Sequence, residues 1–193
     1  MKKTMLLMTA AVLAAAISGC QPNNTGAAGT TAAVETTVEE TTAAKEVDLD
    51  EIHTAVKEAY GDAYIPSMPF DGQMLDQMMG ITEDMYENFI AEGPMISAHV
   101  DTFVAVKAKE GKGDEVKAAL DSYRENLISN TMQYPMNMPK IQASEVYQNG
   151  DYVFFVMLGT PTMESEEQGE EAALKSAQEN NKIGMDVIAG FFQ

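Results

Sequence analysis

The heptapeptide Tyr152-Val153-Phe154-Phe155-Val156-Met157-Leu158 constrains this chain more than any other stretch. It is apolar at every position rather than at every second one, and it is rich in aromatic and β-branched residues. Such a run predicts a central strand covered on both sides, because neither face can be left in water. Immediately before it stands Asn149-Gly150, the strongest short hairpin signal, since both turn residues tolerate positive φ.

The flanking segments supply the expected neighbours. Val100, Thr102, Val104 and Val106 alternate with Asp101, Phe103, Ala105 and Lys107, the period of two that predicts a strand over 96–109. Gly111-Lys112-Gly113 turns the chain, Asp114 can cap a helix, and Val116, Leu120, Tyr123 and Leu127 would share one face of it. A strand is expected from Lys140 to Gln148, and a last helix after a capping box of Ser165 and Gln168. Leu174, Ala177, Ile188 and Phe191 would lie on or near the buried face of that helix.

Upstream, Leu49, Ile52, Val56 and Tyr60 fall at helical spacing between an Asp48 cap and Gly61. Short helices are expected at 72–79 and 82–91, stopped by Gly80 and by Gly93-Pro94. The class is α+β: a small antiparallel or mixed sheet of about three strands, in the β-α-β-β-α order of half a ferredoxin-like fold, with additional N-terminal helices. Strand 152–158 would lie between 96–109 and 140–148. Two helices would cross one face, and the N-terminal helices would cover the other.

The first residues carry an address. Lys2 and Lys3 precede an apolar, alanine-rich run from Met5 to Ile17, which closes on Ile17-Ser18-Gly19-Cys20. A basic start, a short apolar core and small residues before a cut make an export signal, and the run is too short to span a bilayer of roughly 30 Å. The pattern resembles lipoprotein signal peptides, in which the cysteine is acylated and becomes the new first residue. Residues 21–46 are mainly Thr, Ala, Gly, Asn and Glu with no aromatic residue, so they cannot bury enough apolar area to offset ordering entropy. The organisation expected is a signal over 1–19, an acylated Cys20 with a tether to residue 47, and one extracytoplasmic domain over 48–193. The tether would span roughly 30 Å on average as a flexible chain.

Charge narrows the partners. The chain has 30 acidic against 12 basic residues, a net charge of −18, and loss of the signal would remove two lysines and no acid. Such a surface repels nucleic acid and anionic lipid head groups alike, so membrane attachment must come from the lipid on Cys20. Cys20 is the one cysteine, which excludes an internal disulfide.

Ser97, His99 and Asp101 are the sharpest candidate for chemistry. On a strand they would share a face, in the order nucleophile, base and orienter of a serine hydrolase. The plainer reading makes them polar residues at the start of an edge strand, with His99 and Asp101 hydrogen-bonded locally, since no glycine-flanked elbow presents Ser97. Zinc is poorly served, because only His53 and His99 are offered. The acidic runs 48–51 and 164–167 lack the spacing of a calcium loop. The methionines, among them Met74, Met78, Met79, Met132, Met136 and Met138, suit either monovalent copper or an adaptable core and binding groove. There is no phosphate-binding glycine loop and no dinucleotide fingerprint, so no cofactor is implied.

The stretches 95–107 (Met-Ile-Ser-Ala-His-Val-Asp-Thr-Phe-Val-Ala-Val-Lys) and 149–156 (Asn-Gly-Asp-Tyr-Val-Phe-Phe-Val), with the helix between them, resemble a family of uncharacterised bacterial lipoproteins, common in clostridia and relatives, that carry a domain of unknown function. The resemblance runs from about Gly93 to Leu158. It implies the lipoprotein address and the extent of the domain, and brings no catalytic residue or cofactor. The function expected is therefore that of a monomeric, lipid-anchored binding or accessory module on the outer face of the cytoplasmic membrane, not an enzyme. The rival expectations are a hydrolase using Ser97, His99 and Asp101, and an extracytoplasmic copper or cation binder.

Overall fold

The computed structural model describes residues 46–130 and 132–193. Cys20, the signal and nearly all of the tether lie outside the described residues. Five strands form one antiparallel sheet: β1 (Met68–Pro69), β2 (Tyr86–Gly93), β3 (Thr102–Ala108), β4 (Glu145–Asn149) and β5 (Tyr152–Met157), in the spatial order β1-β2-β3-β5-β4. Among the described residues the six α-helices are α1 (Leu49–Tyr60), α2 (Gly72–Met79), α3 (Gly113–Ser129), α4 (Met138–Ala143), α5 (Met163–Gln168) and α6 (Glu170–Gly190). The class is α+β, and about three strands was an undercount.

β5 is flanked by β3 and β4, with Val104 opposite Phe155 and Gln148 opposite Val153. Every residue of β5 is buried. Val153, Phe155 and Met157 pack into one core with Leu75, Val116, Leu120 and Ile141, from α2, α3 and α4. Tyr152, Phe154, Val156 and Leu158 pack into a second core with Ile52, Val56, Tyr60 and Ile188, from α1 and α6. The doubly apolar strand thus feeds two layers, as its composition requires.

That division corrects the expected helix placement: α3 and α6 lie on opposite faces, and α6 shares its face with α1. Asn181 directs this. Its side chain accepts from the Leu158 N–H (3.0 Å) and donates to the Ala143 carbonyl (3.1 Å), fixing α6 across the end of β5. Ala173, Ala177, Asn181, Gly184 and Ile188 form the buried stripe. At Gly184 a Cβ would stand 3.2 Å from the Tyr60 ring, so the small residue lets α1 and α6 close together. The last helix is also split, with Thr162 rather than Ser165 accepting from the Ser165 N–H to cap α5.

Two further elements differ from expectation. Residues 82–91 are a turn followed by β2, not a helix: Phe89 and Ala91 join the first core while Ile90 joins the second. Pairing of β2 with β3 decides this, because Ile90 opposite Ala105 and Ala91 opposite Val104 satisfy backbone and side chains together. Residues 138–143 are helix, and the expected strand 140–148 shortens to β4. Pro139 suits the first turn of a helix, where its missing N–H costs nothing. Arg124 then closes α4 by donating to the carbonyls of Ser144 (2.6 Å) and Gln142 (3.1 Å).

Local signals set the remaining bounds. Asp48 accepts from the Asp50 N–H at the start of α1, and Asp71 from the Met74 N–H at the start of α2. Val47 is buried and donates its N–H to the Tyr152 hydroxyl (3.0 Å), so the folded part includes Val47.

Candidate functional site

Residues 97–101, read as the opening of a strand, form part of the loop joining β2 to β3, and β3 starts only at Thr102. Ser97 and His99 are exposed on this loop, and the His99 N–H donates to the Ile96 carbonyl. Asp101 turns inward. It is 0% exposed and accepts from Lys140, itself 5% exposed, at 2.7 Å. The expected local hydrogen bonding of Asp101 is corrected: its partner stands 39 positions away on α4. No hydrogen bond joins Ser97, His99 and Asp101 among the described residues.

The buried pair is the foundation of a surface. Lys140 belongs to α4, which follows the loop from α3, and Asn137 of that loop donates to the Ala98 carbonyl (3.0 Å). Two cross-links thus tie the β2–β3 loop to the α3–α4 connection at one end of the sheet. On top of them stand Met95 and Ile96 from one loop, and Met132, Tyr134 and Met136 from the other, all exposed; Met95 is 75% and Met132 88% accessible. Asp, Glu, Lys and Arg are absent from 93–100 and from 126–139. In a chain with 30 acidic residues, this end is an uncharged apolar ledge.

Its rim is acidic. Glu164, Glu166, Glu167, Glu170 and Glu171 are exposed on α5 and the first turn of α6, and none is in a salt bridge among the described residues. Ledge and rim meet in a cleft of about 220 Å³ lined by Pro135, Met138, Pro139, Gln142 and Glu170. Glu164, Glu166, Glu170 and Glu171 stand in first helical turns, where negative side chains are favourably placed against the helix dipole. Asp50 and Glu51 stand likewise in the first turn of α1, after the Asp48 cap.

A second polar cluster went unread in the sequence. His53 Nε2 lies 3.1 Å from Glu92 Oε2, the Tyr64 hydroxyl donates to the same oxygen (3.1 Å), and Lys57 approaches it at 3.9 Å. His53 also stacks on Phe103, with ring centroids 5.4 Å apart. Burial, reinforced by the Glu92 carboxylate, pushes the Tyr64 phenol well above its usual range. One carboxylate oxygen serves three side chains, so the cluster clamps α1 to β2 rather than presenting a free base. The only legible hint was that Glu92 and Ile90 share strand parity, which needs β2 to be known first.

Among the described residues no three His, Cys, Asp or Glu side chains converge as a metal site. The methionines divide by environment: Met79 is buried and Met74 and Met138 pack against the first core, while Met132 and Met136 are exposed. No described helix is long and apolar enough to cross a membrane. A wider cleft, about 610 Å³, lies where residue 46 joins the fold, with Lys107 paired to Glu46 and Glu87 at 3.1 Å each.

A family model described as a domain of unknown function, DUF4358, matches residues 59–158. No curated protein and no solved structure matches the chain. The match contains both ledge loops and the Asp101–Lys140 pair, and it ends before the acidic rim.

Proposed function

The chain belongs to the DUF4358 family of domains of unknown function, and from that premise we propose a membrane-anchored binding module that recognises its partner through the apolar ledge. Acylation at Cys20 would hold it on the outer face of the bacterial cytoplasmic membrane, and residues 21–46 would let it sample the space above. The observation that carries the reading is the ledge itself. A chain of net charge −18 keeps the 22 residues of 93–100 and 126–139 free of Asp, Glu, Lys and Arg and raises Met, Ile and Tyr into water on them. Exposed apolar side chains on two cross-linked segments, with an aromatic and flexible methionines among them, are the composition of an adaptable interface.

The test is cross-linking in the native cell. A photoreactive residue replacing Tyr134 should give one discrete adduct, whereas the same residue replacing the exposed Glu58 of α1 should give none. Equal labelling from both positions, or no adduct from position 134, would defeat the reading.

A further inference from the structure

We infer that the ledge is built for a protein segment that is both apolar and cationic, such as an amphipathic helix with lysine or arginine along one side. The inference rests on the binding-module reading and adds the chemistry of the partner.

Apolar surface alone would accept a lipid bilayer, a second copy of the chain or another protein. The rim discriminates among them. Glu164, Glu166, Glu167, Glu170 and Glu171 lie within eight residues with no basic residue among them, and none has a salt-bridge partner among the described residues. Glu170 lines the same cleft as Pro135 and Met138, so an occupant that reaches this cleft meets the rim at Glu170, with Glu171 next to it in sequence. Anionic lipid head groups would bring like charge against the rim. A second copy would bring the same net charge of −18. Both arrangements are repulsive, and repulsion at a boundary rejects wrong partners as effectively as attraction selects right ones. A cationic flank instead completes the unpaired carboxylates while its apolar side covers Met132, Tyr134 and Met136. Tyr134 as an aromatic anchor and the flexible thioethers provide contact area for such a segment without demanding one side-chain shape. The net charge of −18 adds long-range steering of a basic partner toward the domain.

The experiment measures binding of a labelled helical peptide, with leucines along one face and lysines along the other, to the detergent-solubilised full chain. Its counterpart with glutamates in place of the lysines is the control. The lysine peptide should bind and the glutamate peptide should not. Glu170→Gln with Glu171→Gln should weaken binding about tenfold, as should Met132→Ser with Tyr134→Ser, while Glu51→Gln with Glu58→Gln on α1 should leave it unchanged. Melting of each variant checks that it is folded. Equal weakening by the α1 pair would reduce the effect to general attraction between opposite charges and overturn the inference. So would indifference to the ledge pair, or an adduct at position 134 that proves to be lipid or a second copy. If the lysine peptide fails to bind while position 134 still yields a single adduct with another protein, the module stands and the cationic partner falls. If both fail, both readings fall.

Discussion

Asp101 holds Lys140 through one carboxylate oxygen, while the other is buried without a hydrogen-bond partner among the described residues. An ion pair taken out of water is costly to break from one side, because the remaining charge has no solvent to turn to. Lys140→Met alone should therefore destabilise the domain by about 3–5 kcal/mol, and adding Asp101→Leu should restore most of the loss in chemical denaturation. If the double variant is no better than the single, the pair contributes more than mutual neutralisation. The sequence made Asp101 visible but for another reason, its spacing from Ser97 and His99, and spacing means shared orientation only on a regular strand. Lys140 was illegible because nothing local links it to a residue 39 positions earlier. Tyr60 shows the same limit. Its helical spacing announced a buried residue, yet not that its hydroxyl would donate to the Asn180 carbonyl (2.7 Å) and accept from the Gly184 N–H (3.1 Å). Burial pushes its phenol up to about 12. The fold thus favours the neutral phenol: that stability is complete below about pH 10 and is lost as pH rises from about 10 to about 12, to the extent of roughly 2 kcal/mol. Tyr60→Phe should flatten the fall in stability over that window, with Tyr64 still contributing in the same direction. An unaltered slope would remove Tyr60 from the account.

Elements were legible where their ends are marked by side chains close in sequence. Asp48 and Gly61 bound α1, Asp71 and Gly80 bound α2, and Asn149-Gly150 places the β4–β5 hairpin. The misreadings have a common cause. Residues 82–91 suit helix or strand locally, and the open ladder of β3 chooses strand; residues 140–143 alternate passably, yet Pro139 and Arg124 favour a helical turn. The corner after β5 shows how tightly elements meet. Gly159 has φ of +86°, and a Cβ there would stand 2.6 Å from Asn180 Cβ on α6. Gly159→Ala should cost about 2–4 kcal/mol, from left-handed backbone strain plus overpacking. A loss below about 0.5 kcal/mol in urea denaturation would mean that the corner relaxes freely.

At the scale of the whole molecule, stability comes from two apolar layers on one sheet, with no disulfide to assist. Phe154 is fully buried in the layer of α1 and α6, and Phe154→Ala should cost about 3–5 kcal/mol. The sequence announced the central strand but not the assignment of helices to faces, which depends on Asn181 and Gly184 meeting distant partners. The ledge was legible in its parts, as Met132, Met136 and Met138 on a proline-containing loop, but its join to the Met95 loop needs the Asn137 and Lys140 cross-links. Attachment to the membrane is a separate matter. Cys20→Ser should release the protein from membranes washed at high salt or stall its processing, since salt removes charge contacts and leaves only lipid. A serine variant that stays bound would refute the anchor.

The ledge as the binding surface is tested most directly by combining a reporter on one loop with substitutions on the other. A photoreactive residue at Ile96 is placed in the native chain and in one carrying Met132→Ser, Tyr134→Ser and Met136→Ser, and adduct formation is quantified in intact cells. Those three side chains are exposed, so the triple variant should melt with the native protein while losing nearly all of the adduct. An undiminished adduct from a folded triple variant would contradict the account.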